Sequence, residues 1–108
     1  MDEPAFAHVG TLSDLPPGAA LMAAVGDYDI ALFNVDGEIF AIDDVCPHFA
    51  GSLHEGTVAD GMLSCPLHGW CFDLRNGTQT NGRRFVDTFD VRVEDQNVLV
   101  SATPRVRV

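Results

Sequence analysis

Short apolar runs broken by turn residues organise this chain, and helical periodicity is weak throughout. Phe6–Thr11 predicts a first strand. Asp14-Leu15-Pro16-Pro17-Gly18 predicts a loop, because two prolines block helix and ladder alike. Ala20–Val25 and Asp29–Val35 predict a hairpin around Gly26-Asp27. Asp36-Gly37 marks a second hairpin, since Asp-Gly suits a turn needing positive φ, and leads into the strand Glu38–Asp43. Gly56–Val58 and Met62–Cys65 flank another such turn, Asp60-Gly61. Cys71–Leu74 predicts a strand ending in a third hairpin turn at Asn76-Gly77. Thr88–Val93 and Asn97–Ser101 alternate in character, with Glu94–Asn97 turning between them, and residues 103–108 are expected to be a loose tail.

These elements predict an all-β protein of one domain, residues 1–108. A base of antiparallel strands, formed by residues 1–44 and 76–108, would carry an inserted lobe, residues 45–75. Phe33, Phe40, Phe85 and Phe89 read as core or sheet-face aromatics. No internal repeat or low-complexity tract appears.

Charge narrows the partners. The net charge is −10, from 16 acidic residues against 6 Arg and no Lys. Residues 1–74 hold 12 acids and no base, while Arg75, Arg83, Arg84, Arg92, Arg105 and Arg107 all fall in the last third. Such a field disfavours nucleic acid and anionic membrane, and it suits a partner with a basic docking patch. The N-terminus lacks a basic start and a long apolar stretch, and no run reaches membrane-spanning length. Three cysteines without a leader fit a reducing cytoplasm.

The candidate chemistry is concentrated in two segments, Cys46-Pro47-His48 and Cys65-Pro66-Leu67-His68, with 16 residues between His48 and Cys65. Zinc accepts two Cys and two His, but its fingers pair Cys with Cys and His with His. Here each segment holds one of each. That order suits a pair of bridged irons, one held by Cys46 and Cys65 and the other by His48 and His68, as in a Rieske [2Fe–2S] centre. Pro47, Gly51, Pro66 and Gly69 flank the ligands, in loops that can bring backbone N–H groups near the sulfurs. Cys71 reads as a half-buried strand thiol, and Trp70 as a ring packed under the loop or, alternatively, a shield over the centre. His8 is expected on an edge strand and His54 between the loops, both at the surface.

Cys46-Pro47-His48-x₁₆-Cys65-Pro66-Leu67-His68-Gly69-Trp70, with Leu53-x-Glu55-Gly56 between the loops, resembles the Rieske signature, and nearly the whole chain is similar to a small Rieske ferredoxin. The resemblance implies a Rieske fold whose lobe clasps one [2Fe–2S] cluster on Cys46, His48, Cys65 and His68. It implies an electron carrier rather than an enzyme, shuttling as a monomer from a flavin-containing reductase to a terminal oxygenase of the aromatic-ring-hydroxylating type. The chain has no room for the mononuclear iron domain of an oxygenase. Two alternatives stay open. One is the small subunit of an assimilatory NAD(P)H nitrite reductase, a group that shares the fold but often lacks the ligands. The other is a zinc-stabilised interaction module. Relatives in cytochrome bc complexes carry a loop disulfide and hydroxyl donors to sulfur. The matching positions here are Gly51, Leu67, Trp70 and Phe72, so a potential near the low end of the range, about −150 mV, is expected.

Overall fold

The computed structural model describes residues 6–46, 52–65, 70–80 and 84–105. The described residues form nine strands: β1 (Phe6–Thr11), β2 (Ala20–Val25), β3 (Tyr28–Val35), β4 (Glu38–Asp43), β5 (Thr57–Ala59), β6 (Met62–Ser64), β7 (Cys71–Asp73), β8 (Thr88–Glu94) and β9 (Asn97–Pro104). Single 3₁₀ turns cover Leu12–Asp14 and Leu53–Glu55, and no α-helix occurs among the described residues. The strands form a six-stranded antiparallel sheet in the order β1-β9-β8-β4-β3-β2 and a three-stranded sheet in the order β5-β6-β7. The predicted all-β class holds. Among the described residues no helix is long and apolar enough to cross a membrane.

The turn chemistry sets the register. Asp36 and Gly37 both take positive φ (54° and 96°), which pairs Val35 with Glu38. Asp60 and Gly61 repeat this between β5 and β6, pairing Ala59 with Met62. The β8–β9 turn does the same with Asp95 and Gln96, without glycine.

Strands β3 and β4 bury both faces, which explains why they read as continuous apolar runs rather than alternating ones. Ala31, Phe33 and Ile42 belong to one buried cluster with Cys46, Leu53, Leu63, Cys65, Phe72, Leu74 and Val86, and Phe40 packs against it. Ile30, Leu32 and Ala41 point to the other cluster, with Leu15, Val25, Phe89, Val98 and Val100. The period of two along the strand thus splits adjacent residues between two cores. Asn34 is buried on β3 but satisfied: its Nδ2 donates to the Leu15 carbonyl at 2.8 Å and its Oδ1 accepts from the Gly37 N–H at 2.8 Å.

Four expectations are corrected in detail. The third turn is not a two-residue hairpin. Strand β7 ends at Asp73, and Gly77 N–H reaches back to the Asp73 carbonyl at 2.7 Å, so residues 74–77 form a wider loop with Leu74 buried inside it. Residues 103 and 104 are not tail but continue β9, where Pro104 opposes Phe89. Phe85 is not a core aromatic. It is 45% exposed and lies outside the named strands, in an isolated bridge to Thr78. The β2–β3 hairpin closes one residue earlier than predicted, at Tyr28, whose ring meets Phe89 edge to face at 5.1 Å between centroids.

Candidate metal centre

Two backbone necks present the predicted thiols. At the first, β4 delivers the chain through Asp44 and Val45 to Cys46, and it returns at Ser52. Val45 and Ser52 form an isolated antiparallel bridge, and Leu53 N–H donates to the Asp44 carbonyl at 2.7 Å. At the second, β6 runs into Cys65, whose N–H donates to the Trp70 carbonyl at 2.7 Å just before β7 begins. Each neck brings the two ends of a short segment together. His48 and His68, with Pro47, Gly51, Pro66, Leu67 and Gly69, lie outside the described residues.

The necks bring both thiols into the same buried cluster, where Cys46 is 1% exposed and Cys65 4%. Leu53, Leu63 and Phe72, each fully buried, complete the surroundings. Thiolate is the form that binds metal, and burial among apolar neighbours disfavours an uncompensated thiolate. Two thiols placed this way fit a cation-bearing group that neutralises them. The donor set fits a [2Fe–2S] cluster, with Cys46 and Cys65 supplying the two thiolates and the neighbouring segments carrying His48 and His68 in sequence.

The two necks are also joined to each other. Gly56, just after the Leu53–Glu55 turn, approaches the Ser64 carbonyl so closely that a Cβ there would sit 2.2 Å from its oxygen. Any side chain at 56 would push the exit of the first loop away from the residue preceding Cys65. Beyond the second neck, Trp70 is half-buried and packs against the cluster of buried residues. Cys71 is likewise half-buried, its Sγ 3.4 Å from Ser64 Oγ. A groove of about 510 Å³ runs between Gly18–Ala20, Phe33–Asp36 and Gly56–Asp60, and neither Cys46 nor Cys65 lines it.

His8 is exposed on the edge strand β1, its Nε2 3.0 Å from Asn97 Oδ1. His54 departs from the surface reading. It is half-buried and holds the carboxylate of Asp44, a buried acid that sequence reasoning passed over. Nothing in the spacing of Asp44 and His54 announces the contact, since it depends on the 3₁₀ turn at Leu53–Glu55 folding back over the end of β4.

Asp43, one residue earlier, sits among acids. Burial pushes its carboxyl above the ordinary value. The Val45 N–H it accepts opposes that, and Asp87, Asp44 and Asp29 add to the rise. An acid whose pKa is raised by folding contributes stability below its unfolded pKa, and that contribution is lost as pH rises through the folded one. The ionised form therefore weakens the fold at neutral pH. Asp43→Asn, which keeps an oxygen for Val45, is expected to raise resistance to urea at pH 7. The gain should shrink as pH falls toward 3.8. Equal gains at both ends of that range would refute the electrostatic cause.

The whole chain can be set beside known proteins. The model of the Rieske [2Fe–2S] domain matches residues 5–101. The biphenyl dioxygenase ferredoxin subunit of Pseudomonas sp. (strain KKS102) is 36% identical over 98 residues, covering 88% of this chain and 90% of that protein. A chain in the solved complex of reduced oxygenase and oxidized ferredoxin in carbazole 1,9a-dioxygenase superposes with a TM-score of 0.87 at 27% identity, covering 97% of this chain and all of the other. A structure described as a putative NADH-dependent nitrite reductase small subunit from Mycobacterium tuberculosis has a TM-score of 0.86 at 24% identity, over 99% of this chain and 100% of that one, and shares the fold. With buried paired thiols at two pinned necks and a family match spanning most of its length, the chain belongs to the Rieske [2Fe–2S] domain family.

Proposed function

We propose that this protein is a soluble, cytoplasmic, monomeric ferredoxin that takes one electron from a flavin-containing reductase and delivers it to a terminal oxygenase. The observation that carries the reading is the pair of buried thiols at adjacent loop necks, in a chain 36% identical to a dioxygenase ferredoxin subunit along nearly its whole length. The cluster would be held by Cys46, His48, Cys65 and His68, within a lobe of residues 45–75 on a base of residues 1–44 and 76–108. When bound, such a cluster supplies a single one-electron couple. The protein's own part is to hold and shield. Cys46 and Cys65 would hold the group from the buried side, where Leu53, Leu63 and Phe72 surround the thiols. His48 and His68 would complete the ligand set and give the electron its exit. The acidic surface, −10 overall, would draw a partner with a basic docking face and speed encounter at low salt.

The nitrite reductase reading has less support, because the similar solved chains of that description are 24% identical and speak for the fold alone.

Ultraviolet–visible and EPR spectra of the purified protein, before and after dithionite, test the cluster. A red-brown protein with a rhombic EPR signal on reduction is the expected result, with a midpoint potential near −150 mV. A colourless protein containing zinc sinks the electron-transfer reading, and a clearly positive midpoint sinks the potential. Reconstitution with a flavin reductase and a ring-hydroxylating oxygenase tests the role: product formation should require this chain and should slow as salt is raised.

A further inference from the structure

We propose that Asp44 and His54 are positioning residues, forming a polar clamp across the neck of the first loop that sets how firmly the centre is held and at what potential it works. The inference rests on the reading of Cys46 as a cluster ligand.

The clamp is built from short contacts. His54 N–H donates to Asp44 Oδ1 at 2.7 Å, and His54 Nδ1 lies 2.9 Å from both carboxylate oxygens. An ionised carboxylate only accepts, so Nδ1 carries the proton and the ring is fixed in orientation. Asp44 is anchored in turn: its own N–H donates to the Asp29 carbonyl on β3 at 2.8 Å. The path runs from β3 through Asp44 to His54, and so to the segment where the loop returns. From there Gly56 presses against the Ser64 carbonyl, next to Cys65.

Asp44 is the one charged residue classed as buried among the described residues, with its side chain 6% exposed against 28% for His54. A buried carboxylate costs free energy unless its oxygens are bonded, and an apolar pair would have closed this neck more cheaply. What the carboxylate–imidazole pair adds is direction. Charge-assisted bonds to a planar acceptor fix the angle at which the loop leaves and returns. Two residues beyond Asp44 stands Cys46, so loosening the clamp lets the Cys46 segment breathe. A less firmly held Cys46 thiolate would support the reduced, more negative centre less well, and the less compensated Asp44 charge acts in the same direction. Both lower the potential.

The test uses the iron-loaded protein and three variants: His54→Ala, His54→Asn, and His8→Ala as a surface control. The readouts are the midpoint potential and the rate at which excess chelator bleaches the visible bands. His54→Ala should bleach about tenfold faster, equivalent to about 1.4 kcal/mol of neck opening, and titrate at a lower potential, with an unchanged far-ultraviolet CD spectrum. His54→Asn places an amide N–H where Nδ1 stood and should recover both values, while His8→Ala changes neither. Wild-type bleaching and potential in His54→Ala overturn the proposal, as does a His54→Asn protein that fails to match wild type. A wild-type chain that takes up no cluster sinks the ligand reading instead. The clamp is then judged by iodoacetamide labelling mapped by mass spectrometry. Faster labelling of Cys46 but not Cys65 in His54→Ala supports it, and equal change at both refutes it.

Discussion

Cys65→Ser should yield a folded protein that is nearly colourless, with iron content reduced at least tenfold, while Cys71→Ser keeps the full spectrum. The two thiols stand only six residues apart, yet the fold sets them in different surroundings. Cys65 is buried in the same cluster as Cys46, which also holds Leu63 and Phe72. Cys71 opens β7 on the far side of the Trp70 neck, half-buried, with Ser64 Oγ at 3.4 Å. Replacing even an outer partner of a metal ligand typically costs 10–100-fold in affinity, and losing a thiolate ligand should cost no less than about tenfold. Because ligand binding is also folding free energy, Cys65→Ser should unfold at lower urea than Cys71→Ser. Iron per chain, visible absorbance and far-ultraviolet CD separate the cases. A Cys65→Ser protein with wild-type iron refutes the ligand assignment, and loss of the spectrum in Cys71→Ser moves that thiol into the site.

The contrast between the two cysteines shows what was legible in the sequence. Candidate ligands could be nominated, because C-x-H and C-x-x-H segments carry their chemistry in residue type and spacing, and the two described ones, Cys46 and Cys65, are buried in one cluster. Strands bounded by Asp-Gly turns were legible too: β4 begins and ends where its pattern predicts, since Asp36 and Gly37 dictate the register locally. Features settled by contacts between distant segments were not. Phe85 looks like Phe89 in the sequence, but only Phe89 is carried on a sheet strand whose face is covered, and Phe85 is left exposed. Asp44 looks like any acid in an acidic chain until the Leu53–Glu55 turn folds back and places His54 on its carboxylate. The Asn76-Gly77 pair signals a turn in the right place but of the wrong width. Burial of Leu74 pulls the chain inward, and the Gly77 N–H closes on Asp73 instead of completing a two-residue hairpin.

A single methyl group at Gly77 should also do large harm to the fold. Gly77 and Gly61 share the same φ, 76°, so alanine at either pays the left-handed conformational cost of about 1 kcal/mol. Their surroundings differ. A Cβ at Gly61 meets nothing within 4 Å, whereas one at Gly77 falls 2.1 Å from the Val86 carbonyl oxygen and 3.1 Å from Thr88 Cγ2. Backbone cannot swing aside as a flexible side chain does. Relief requires moving Val86, whose N–H donates to the Gly77 carbonyl at 2.8 Å and whose side chain belongs to the cluster around Cys46 and Cys65. Losing a buried backbone bond adds about 1–3 kcal/mol. Gly77→Ala should therefore be destabilised by about 3 kcal/mol, a large share of the roughly 5–15 kcal/mol typical of a domain, and Gly61→Ala by about 1 kcal/mol. Urea unfolding followed by CD measures both. Gly77→Ala should also lose its cluster faster to a chelator, since the displaced Val86 packs in the core that seats both thiols. Equal destabilisation by the two substitutions would mean that backbone conformation alone sets the cost at Gly77, and that the close approach of Val86 relaxes freely.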